Sequence, residues 1–411
     1  NLLLVKMLNY KFIKLNFKYL FFGFLMTFCS SFGQTFFIGI FNPYIRQDLN
    51  LSHSEFGGIY SIATLISSIV IIWIGKKIDD FKLINFAIFV ILSLLFSAVF
   101  MNQLTGYIHL IFAFFFLRLF GQGLMSHTSS TAMAKFFTTN RGKALGISWL
   151  GLTLGEGILP GLVTLLINFI NWKQIWLIIA VFLLIIVLPL VIYLLNDFKD
   201  NSVENERLKI NLNIKNWTRL EVLKDVKFYF LLPAILCPPF LITGIFINQF
   251  FLFENFNWGA NYIAPSFIAY AIFTLISLQI SGFLIDRYSA IRVLPFYLIP
   301  MIFGFIISII LKFWISPLLF FIFIAITNGA ANVLITSTWS EMYGTKHLGA
   351  IRSVTVSLMV FSTSLAPVLF GYLIDFGLSS KEIIYTMLVY TIFSNLLLLT
   401  KIKSYRPVII T

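Results

Sequence analysis

Two ionisable side chains, Arg118 and Glu156, lie deep within long apolar stretches of the 411-residue sequence. An ionisable group inside a bilayer costs at least ~2.5–3.5 kcal/mol, so its presence indicates a purpose. At ~1.5 Å per helical residue, the two lie about 15 Å and 18 Å into consecutive antiparallel helices, near the midplane. We expect them to interact, with Glu156 gaining and losing a proton and Arg118 binding an anionic ligand. A permanent ion pair that only joins two helices, and no contact at all, are the alternatives.

Carboxamide side chains recur at helical spacing around these charges. Gln122 follows Arg118 by four residues, and residues four apart stack on one face of an α-helix. An amide in a membrane can bind a polar solute, or it can form an interhelical hydrogen bond worth ~0.6–2 kcal/mol. The candidate substrate ligands are Arg118, Gln122, Gln34, Asn328, Asn332 and Asn248. We place Asn248 beyond an expected break in its helix at Pro238–Pro239.

The elements that must position these residues are membrane-spanning helices. Of the residues, 59% are hydrophobic and 11% are charged, which excludes a water-soluble enzyme. Twelve apolar windows of about 18 to 25 residues are each long enough to cross a bilayer. They are 19–41, 55–74, 84–101, 108–131, 144–168, 175–195, 228–252, 261–281, 294–311, 316–338, 352–374 and 382–400. The sequence therefore predicts an all-α membrane protein.

The charge distribution predicts an orientation for these helices. The net charge is +13, and a cytoplasmic N-terminus would place 24 of the 29 basic residues in cytoplasmic segments. Four would lie outside, at Arg46, Lys173, Lys312 and Lys381. This is the positive-inside bias of membrane proteins, so the basic excess indicates a lipid bilayer as partner and no nucleic acid. Both termini are predicted to be cytoplasmic.

A repeat divides the chain into two halves. Gly75 and Asp79 recur 207 residues later as Gly282 and Asp286. The hydrophilic stretch 196–227, with seven basic and six acidic residues, separates them. We expect an N-terminal six-helix bundle at 1–195, a cytoplasmic linker at 196–227 and a C-terminal six-helix bundle at 228–411. Repeats of this kind place a substrate site near the bilayer midplane.

The repeated segments resemble a known family. Gly75-Lys-Lys-Ile-Asp79-Asp80 and Gly282-Phe-Leu-Ile-Asp286-Arg287 look like the GxxxDR loop of the major facilitator superfamily, and Arg118 to Gly123 is similar to its RxxxG signature. The resemblance implies twelve helices in two pseudo-symmetric bundles. It also implies a gating role for Gly75, Asp79, Gly282, Asp286 and Arg287. Each aspartate would accept hydrogen bonds from the N-terminus of a neighbouring helix, unless these are only solvated loop charges.

A narrower resemblance concerns the substrate. The run from Lys135 to Ile147 looks like the corresponding loop of monocarboxylate and oxalate/formate porters, whereas Gly157 and Pro160 are spaced unlike the drug-antiporter pattern. We therefore expect a secondary active transporter for a small organic anion such as a carboxylate. It would work by alternating access, with proton coupling through Glu156 and Arg118 or with exchange for a counter-anion.

Two other functions stay open from the sequence. One is a proton-driven exporter of drugs or other amphipathic compounds, and the other is a non-transporting membrane receptor of the same fold. We expect no enzyme activity, no cofactor and no metal, because the four histidines form no metal-like cluster with Cys or acidic residues. A monomer in the inner (plasma) membrane of a bacterium completes the prediction.

Overall fold

The computed structural model describes residues 10–137, 141–196, 216–256, 258, 260–311, 313–344 and 347–405. Within these residues every regular element is a helix. Up to twelve candidate membrane spans occur among them, the first being the bent pair Phe17–Gly33 and Thr35–Leu49. Spans 2 to 12 are His53–Gly75, Leu83–Asn102, Tyr107–Met133, Lys143–Leu166, Trp172–Leu195, Val226–Ile247, Ile263–Ile285, Ala290–Ile310, Ser316–Tyr343, Val354–Asp375 and Ser380–Thr400. Each overlaps one predicted window, and the all-α membrane fold is confirmed.

Span 1 is broken, whereas the sequence predicts one uninterrupted helix over 19–41. Gln34 has an extended backbone, with φ −81° and ψ 154°, and the two halves of the span are bent by 43°. Gly33, which precedes the break, lies directly against the backbone of Gly121 in span 4. An apolar window predicts burial in the membrane but carries no information about such a contact.

Span 4 is not a regular α-helix, because residues Leu117–Met125 form a π-helix. In a π-helix each hydrogen bond joins residues i and i+5 and not i and i+4. The comparison of Arg118 with Gln122 from the sequence assumed an α-helix here, and a shared role of the two side chains stays a prediction. The structure buries Arg118 and leaves Gln122 and Ser126 half-buried.

Span 7 continues through its prolines, and the predicted break at Pro238–Pro239 is wrong. The helix Val226–Ile247 contains both of these residues and Pro233. Proline removes one helical hydrogen bond, but neighbouring helices in a membrane protein can compensate for that loss. The helix ends at Ile247 instead, and a separate short helix, Gln249–Asn255, follows.

The chain divides into two compact units. The first unit comprises Asn1–Leu51 and Ile62–Arg207, and the second comprises Ser52–Ser61 and Leu208–Thr411. The start of span 2 thus groups with the second unit, whereas the sequence places all of 1–195 in one bundle. Of the predicted linker 196–227, residues 197–215 lie outside the described residues. A short helix, Arg219–Lys224, precedes span 7.

Within each unit the spans pack in a few main groups. In the first unit, span 1 packs against spans 4 and 5, and span 3 packs against span 6. In the second unit, span 10 packs against spans 8 and 9, and span 7 packs against spans 11 and 12. Span 1 therefore brings the helices that carry Arg118 and Glu156 to one place.

Candidate functional site

Arg118 bonds to both sides of the break in span 1. Its Nη1 atom donates to the carbonyl oxygen of Gly33 at 3.2 Å and to the Thr35 hydroxyl at 3.3 Å. In a continuous helix the Gly33 carbonyl would accept from the N–H of Phe37, but that N–H bonds to Gln34 instead. Because a buried carbonyl needs a donor, Arg118 supplies what the break removes.

Glycines bring spans 4 and 5 onto the same stretch of span 1. A Cβ atom on Gly33 would overlap backbone atoms of Leu117, Gly121 and Gln122, so spans 1 and 4 touch through their backbones. A Cβ atom on Gly155 in span 5 would overlap the Ser31 hydroxyl. The break therefore lies between a span 4 contact on one side and a span 5 contact on the other.

Glu156 follows Gly155 directly and is half-buried. Among the described residues, no ion pair joins Glu156 to Arg118, and no hydrogen bond from the Glu156 side chain is found. The direct contact expected from the helical depths is thus not formed in this structure. Arg118 and Glu156 instead belong to two helices that pack against the same broken segment, residues 31–35.

A cluster of buried hydroxyls joins spans 1, 4 and 5 on the other side of Ser31 from the break. Ser129 donates to the carbonyl of Gly23 at 2.8 Å, and its oxygen lies 2.6 Å from the hydroxyl oxygen of Ser148. Thr27 donates to the carbonyl of Ser148 at 2.5 Å. These side chains are buried and satisfy one another, so we regard them as interhelical bonds and not as ligands.

The two glutamines near the break are available to a ligand. Gln34 lies at the break itself, Gln122 lies in the π-helix, and both side chains are half-buried. Neither side chain makes a hydrogen bond to another described residue. The amides of Gln34 and Gln122 can therefore donate to and accept from a polar solute.

The three asparagines predicted as ligands lie in the second unit and differ in their surroundings. Asn328 donates from Nδ2 to the hydroxyl of Tyr270 at 2.7 Å, and Tyr270 is buried. Asn248 is buried and donates to the carbonyl of Gly244 in its own helix at 3.1 Å. Asn332 is exposed. Tyr270 was not predicted, because one Tyr among 16 in an apolar sequence gives no signal.

The predicted gate residues are partly described. The carbonyl of Gly75 lies 3.0 Å from Nε2 of His127 in span 4, whereas a Cβ atom on Gly282 would meet nothing within 4 Å. Arg287 is exposed, with its guanidinium 5.3 Å from the centre of the Tyr288 ring. The side chains of Asp79 and Asp286 lie outside the described part of the chain, as do residues 138–140 of the Lys135–Ile147 run.

Two other carboxylates do bind helix N-termini, both within the second unit. Asp375, which ends span 11, accepts from the backbone N–H groups of His53 at 3.0 Å and Ser54 at 2.7 Å. Glu341 in span 10 accepts from the N–H groups of Ala290 at 2.7 Å and Ile291 at 3.2 Å, where span 9 begins. The interaction expected of Asp79 and Asp286 is thus observed at residues that the motif does not contain.

Close backbone contacts accompany the Asp375 bonds. A Cβ atom on Gly371 would overlap the backbone of His53, and one on Gly57 would overlap the backbone of Pro367. The Ser61 hydroxyl also donates to the carbonyl of Ser364. The first two turns of span 2 are therefore attached to span 11 along their length. Elsewhere in the described residues, no group of three or more His, Cys, Asp and Glu side chains could hold a metal ion.

Comparison with known proteins agrees with this architecture. Among solved structures, the chain is similar to the nucleoside transporter NupG, with a TM-score of 0.68 and 14% identity over 95% of this chain and 98% of that one. It is also similar to a bacterial homolog of the human lysosomal transporter Spinster in an inward-facing, unoccupied conformation, with a TM-score of 0.67 and 14% identity over 94% and 95%. At these identities the likeness shows the fold.

The family is shown by the sequence itself. No curated protein sequence matches the chain significantly. The sequence model of the Major Facilitator Superfamily, however, matches residues 23–367, which is most of the chain. This superfamily consists of membrane transporters, so the protein is an integral membrane transporter and not an enzyme. The chain belongs to the Major Facilitator Superfamily.

Proposed function

We propose that this protein is a secondary active transporter that moves a small organic anion, such as a carboxylate, by alternating access. The observation that carries the proposal is the buried Arg118, which bonds to a broken helix beside the available amides of Gln34 and Gln122. A guanidinium has five N–H donors, and two of them can hold a carboxylate side by side.

Arg118 offers such an anion a favourable exchange of partners. Two of its acceptors are a neutral carbonyl and a neutral hydroxyl, and a hydrogen bond to an ionised acceptor is roughly twice as strong. A substrate carboxylate can therefore displace the Gly33 carbonyl. The displaced carbonyl lies at the break in span 1, so binding would change the hydrogen bonding of the segment that spans 4 and 5 both contact.

We assign proton coupling to Glu156, with Arg118 as the group that it influences. A carboxyl group that lies in a membrane span without a cationic partner is a natural site for a transported proton. Its neighbour Gly155 packs on Ser31, two residues from the Gly33 carbonyl that Arg118 holds. Glu156 can thus affect Arg118 through span 1 without touching it. Exchange of the substrate for a counter-anion is the second mode compatible with this site.

The test is uptake of labelled mono- and dicarboxylates into proteoliposomes, with and without an inward proton gradient. We expect gradient-stimulated uptake that Glu156→Gln abolishes and Arg118→Lys strongly reduces. Glu254→Gln, which changes an exposed carboxylate outside the spans, is the matched control and should behave as wild type. Uptake that needs an internal anion but no gradient would indicate exchange and would refute the coupling role of Glu156.

The remaining sequence predictions are part of the same proposal. Asn328, Asn332 and Asn248 would complete the substrate site from the C-terminal bundle, although the Gly244 bond makes Asn248 the weakest of the three. The gate would consist of the repeated loops at Gly75, Asp79, Gly282, Asp286 and Arg287. We place both termini in the cytoplasm of a bacterium and the bundles at 1–195 and 228–411, in a monomer.

Two alternatives are distinguished by the same vesicles. A proton-driven exporter of amphipathic compounds would transport none of the carboxylates but would expel a fluorescent cationic dye. A nucleoside belongs in the panel as well, since one structural neighbour is a nucleoside transporter. A non-transporting receptor would move no solute, yet it would bind one. Failure of every carboxylate with a correctly folded protein would refute the anion proposal.

A further inference from the structure

A basic groove lies where two spans of the second unit end. It has a volume of about 560 Å³, and it lies between the segment that precedes span 7 and the segment that follows span 12. Lys224, Lys227 and Lys401 contribute its basic side chains, and Glu221 and Asp225 contribute its acidic ones. Span 7 begins at Val226 and span 12 ends at Thr400, so the groove is at the level where the apolar spans meet the polar boundary.

Both acidic side chains of the groove accept hydrogen bonds from the protein. Glu221 accepts from the N–H and the hydroxyl of Thr218, at 2.7 Å and 2.9 Å. Asp225 accepts from the N–H of Lys227 at 3.0 Å and from the hydroxyl of Tyr343 at 3.1 Å. They cap the helices that begin there, which leaves the lysine ammonium groups as the groove's donors to an outside ligand.

The three lysines do not pair with these acids. No ion pair of Lys224, Lys227 or Lys401 occurs among the described residues, and three ammonium groups against two carboxylates leave the groove with one net positive charge. Lys401 instead lies 5.4 Å from the centre of the Phe230 ring. A lysine ammonium is a compact charge that binds phosphate well.

Tyr405 beside the groove stays neutral and adds no charge of its own. Burial, with the negative charge of Asp225 nearby, raises the pKa of its hydroxyl to about 12. Trp217, which lines the groove, is the kind of side chain found at the membrane–water boundary, because its ring is apolar and its N–H is polar.

We propose that this groove binds the phosphate of an anionic phospholipid headgroup from the adjacent leaflet. The groove combines three ammonium donors, a boundary tryptophan and a position at the ends of two spans, where lipid phosphates lie. The distribution of basic residues predicts this side to be the cytoplasmic one, and the cytoplasmic leaflet is the one rich in anionic lipids. A lipid held there touches the segment before span 7 and the segment after span 12.

The test is the amount of phosphatidylglycerol that stays bound to the full-length protein when it is purified in excess phosphatidylcholine. Bound lipid is counted by native mass spectrometry. We expect the wild type to retain a bound phosphatidylglycerol. The affinity of the protein for this lipid should be about fivefold lower for each lysine replaced by glutamine. For the triple variant Lys224→Gln, Lys227→Gln, Lys401→Gln it should be on the order of 100-fold lower. Equal retention by the triple variant would overturn the proposal.

Two further measurements distinguish a bound lipid headgroup from a soluble anion and from a general loss of positive charge. Lys381→Gln is the matched control, because Lys381 lies at the opposite end of span 12 and its ammonium is also placed over a ring, 6.0 Å from the centre of Tyr385. It should retain the lipid as wild type does.

Inorganic phosphate should not displace the lipid at equal concentration. Displacement by phosphate alone would overturn the lipid assignment in favour of a soluble anion. Thermal unfolding in phosphatidylcholine should be the same for all variants.

Discussion

The contact between spans 1 and 4 at Gly33 predicts a large effect from one methyl group. In Gly33→Ala the new Cβ atom would lie 2.8 Å from the Cα atom of Gly121, and nearer still to the Leu117 carbonyl oxygen and the Gln122 nitrogen. All three are backbone atoms, so no side-chain rotation can make room. The two helices must separate, and the bond from Arg118 to the Gly33 carbonyl must lengthen or break.

The magnitude follows from these two losses. Overpacking of a well-packed interior costs about 1–3 kcal/mol, and an interhelical hydrogen bond in a membrane protein is worth about 0.6–2 kcal/mol. We therefore expect Gly33→Ala to lower the free energy of unfolding by about 2–5 kcal/mol.

Gly146→Ala is the matched control for this experiment. Its Cβ atom would meet nothing within 4 Å, and in a helix alanine is favoured over glycine by about 1 kcal/mol. The measurement is thermal unfolding in detergent, followed by intrinsic tryptophan fluorescence. Gly146→Ala should unfold at or above the wild-type temperature and Gly33→Ala several degrees below it. If the two variants unfold at the same temperature, the inferred backbone contact between spans 1 and 4 is wrong.

Three further predictions concern side chains that form hydrogen bonds between or at the ends of spans. Thr35→Val removes one acceptor of Arg118 and should destabilise the protein by about 0.6–2 kcal/mol in the same unfolding assay. Tyr270→Phe removes the acceptor of Asn328. Because that amide is only half-buried, we expect a loss of stability near the lower end of the same range. Unchanged expression is the check that the protein still folds. Asp375→Asn weakens the cap on span 2 by about 0.3–1 kcal/mol, since the residue is exposed. Faster labelling of a cysteine placed at Ser54 would show the weaker cap, and unchanged labelling would argue against the cap.

The spans could be predicted from the sequence because an apolar run of the right length has few alternatives in a membrane. The break at Gln34 could not, since Gly33 and Gln34 are two tolerable residues in an apolar window. What breaks the helix is a contact with Gly121, 88 positions away, and an arginine that takes up the released carbonyl. The π-helix in span 4 could not be predicted either, because spacing arithmetic assumes α-helical geometry throughout.

The candidate site was predictable in its residue types and not in its pairings. Arg118 and Glu156 stand out as charges within apolar runs, but depth along two helices gives no rotation about their axes, and the expected pair does not form. Asp375 shows the same limit from the other side. An exposed aspartate at the end of a span looks like any boundary residue, and its partners, His53 and Ser54, are more than 320 positions away along the chain.

The π-helix in span 4 has a consequence for how this helix tolerates changes in length. A π-helical segment holds one residue more than an α-helix of the same hydrogen-bonded run, so it is equivalent to a one-residue insertion. Deleting one residue between Arg118 and His127 would restore regular α-helical bonding and would leave the turns on either side in nearly the same register. A deletion in an α-helical part of the span would instead rotate one side against the other by about 100° about the helix axis. Span 4 can therefore lose a residue here and keep the alignment between the arginine at the break and the histidine that contacts Gly75.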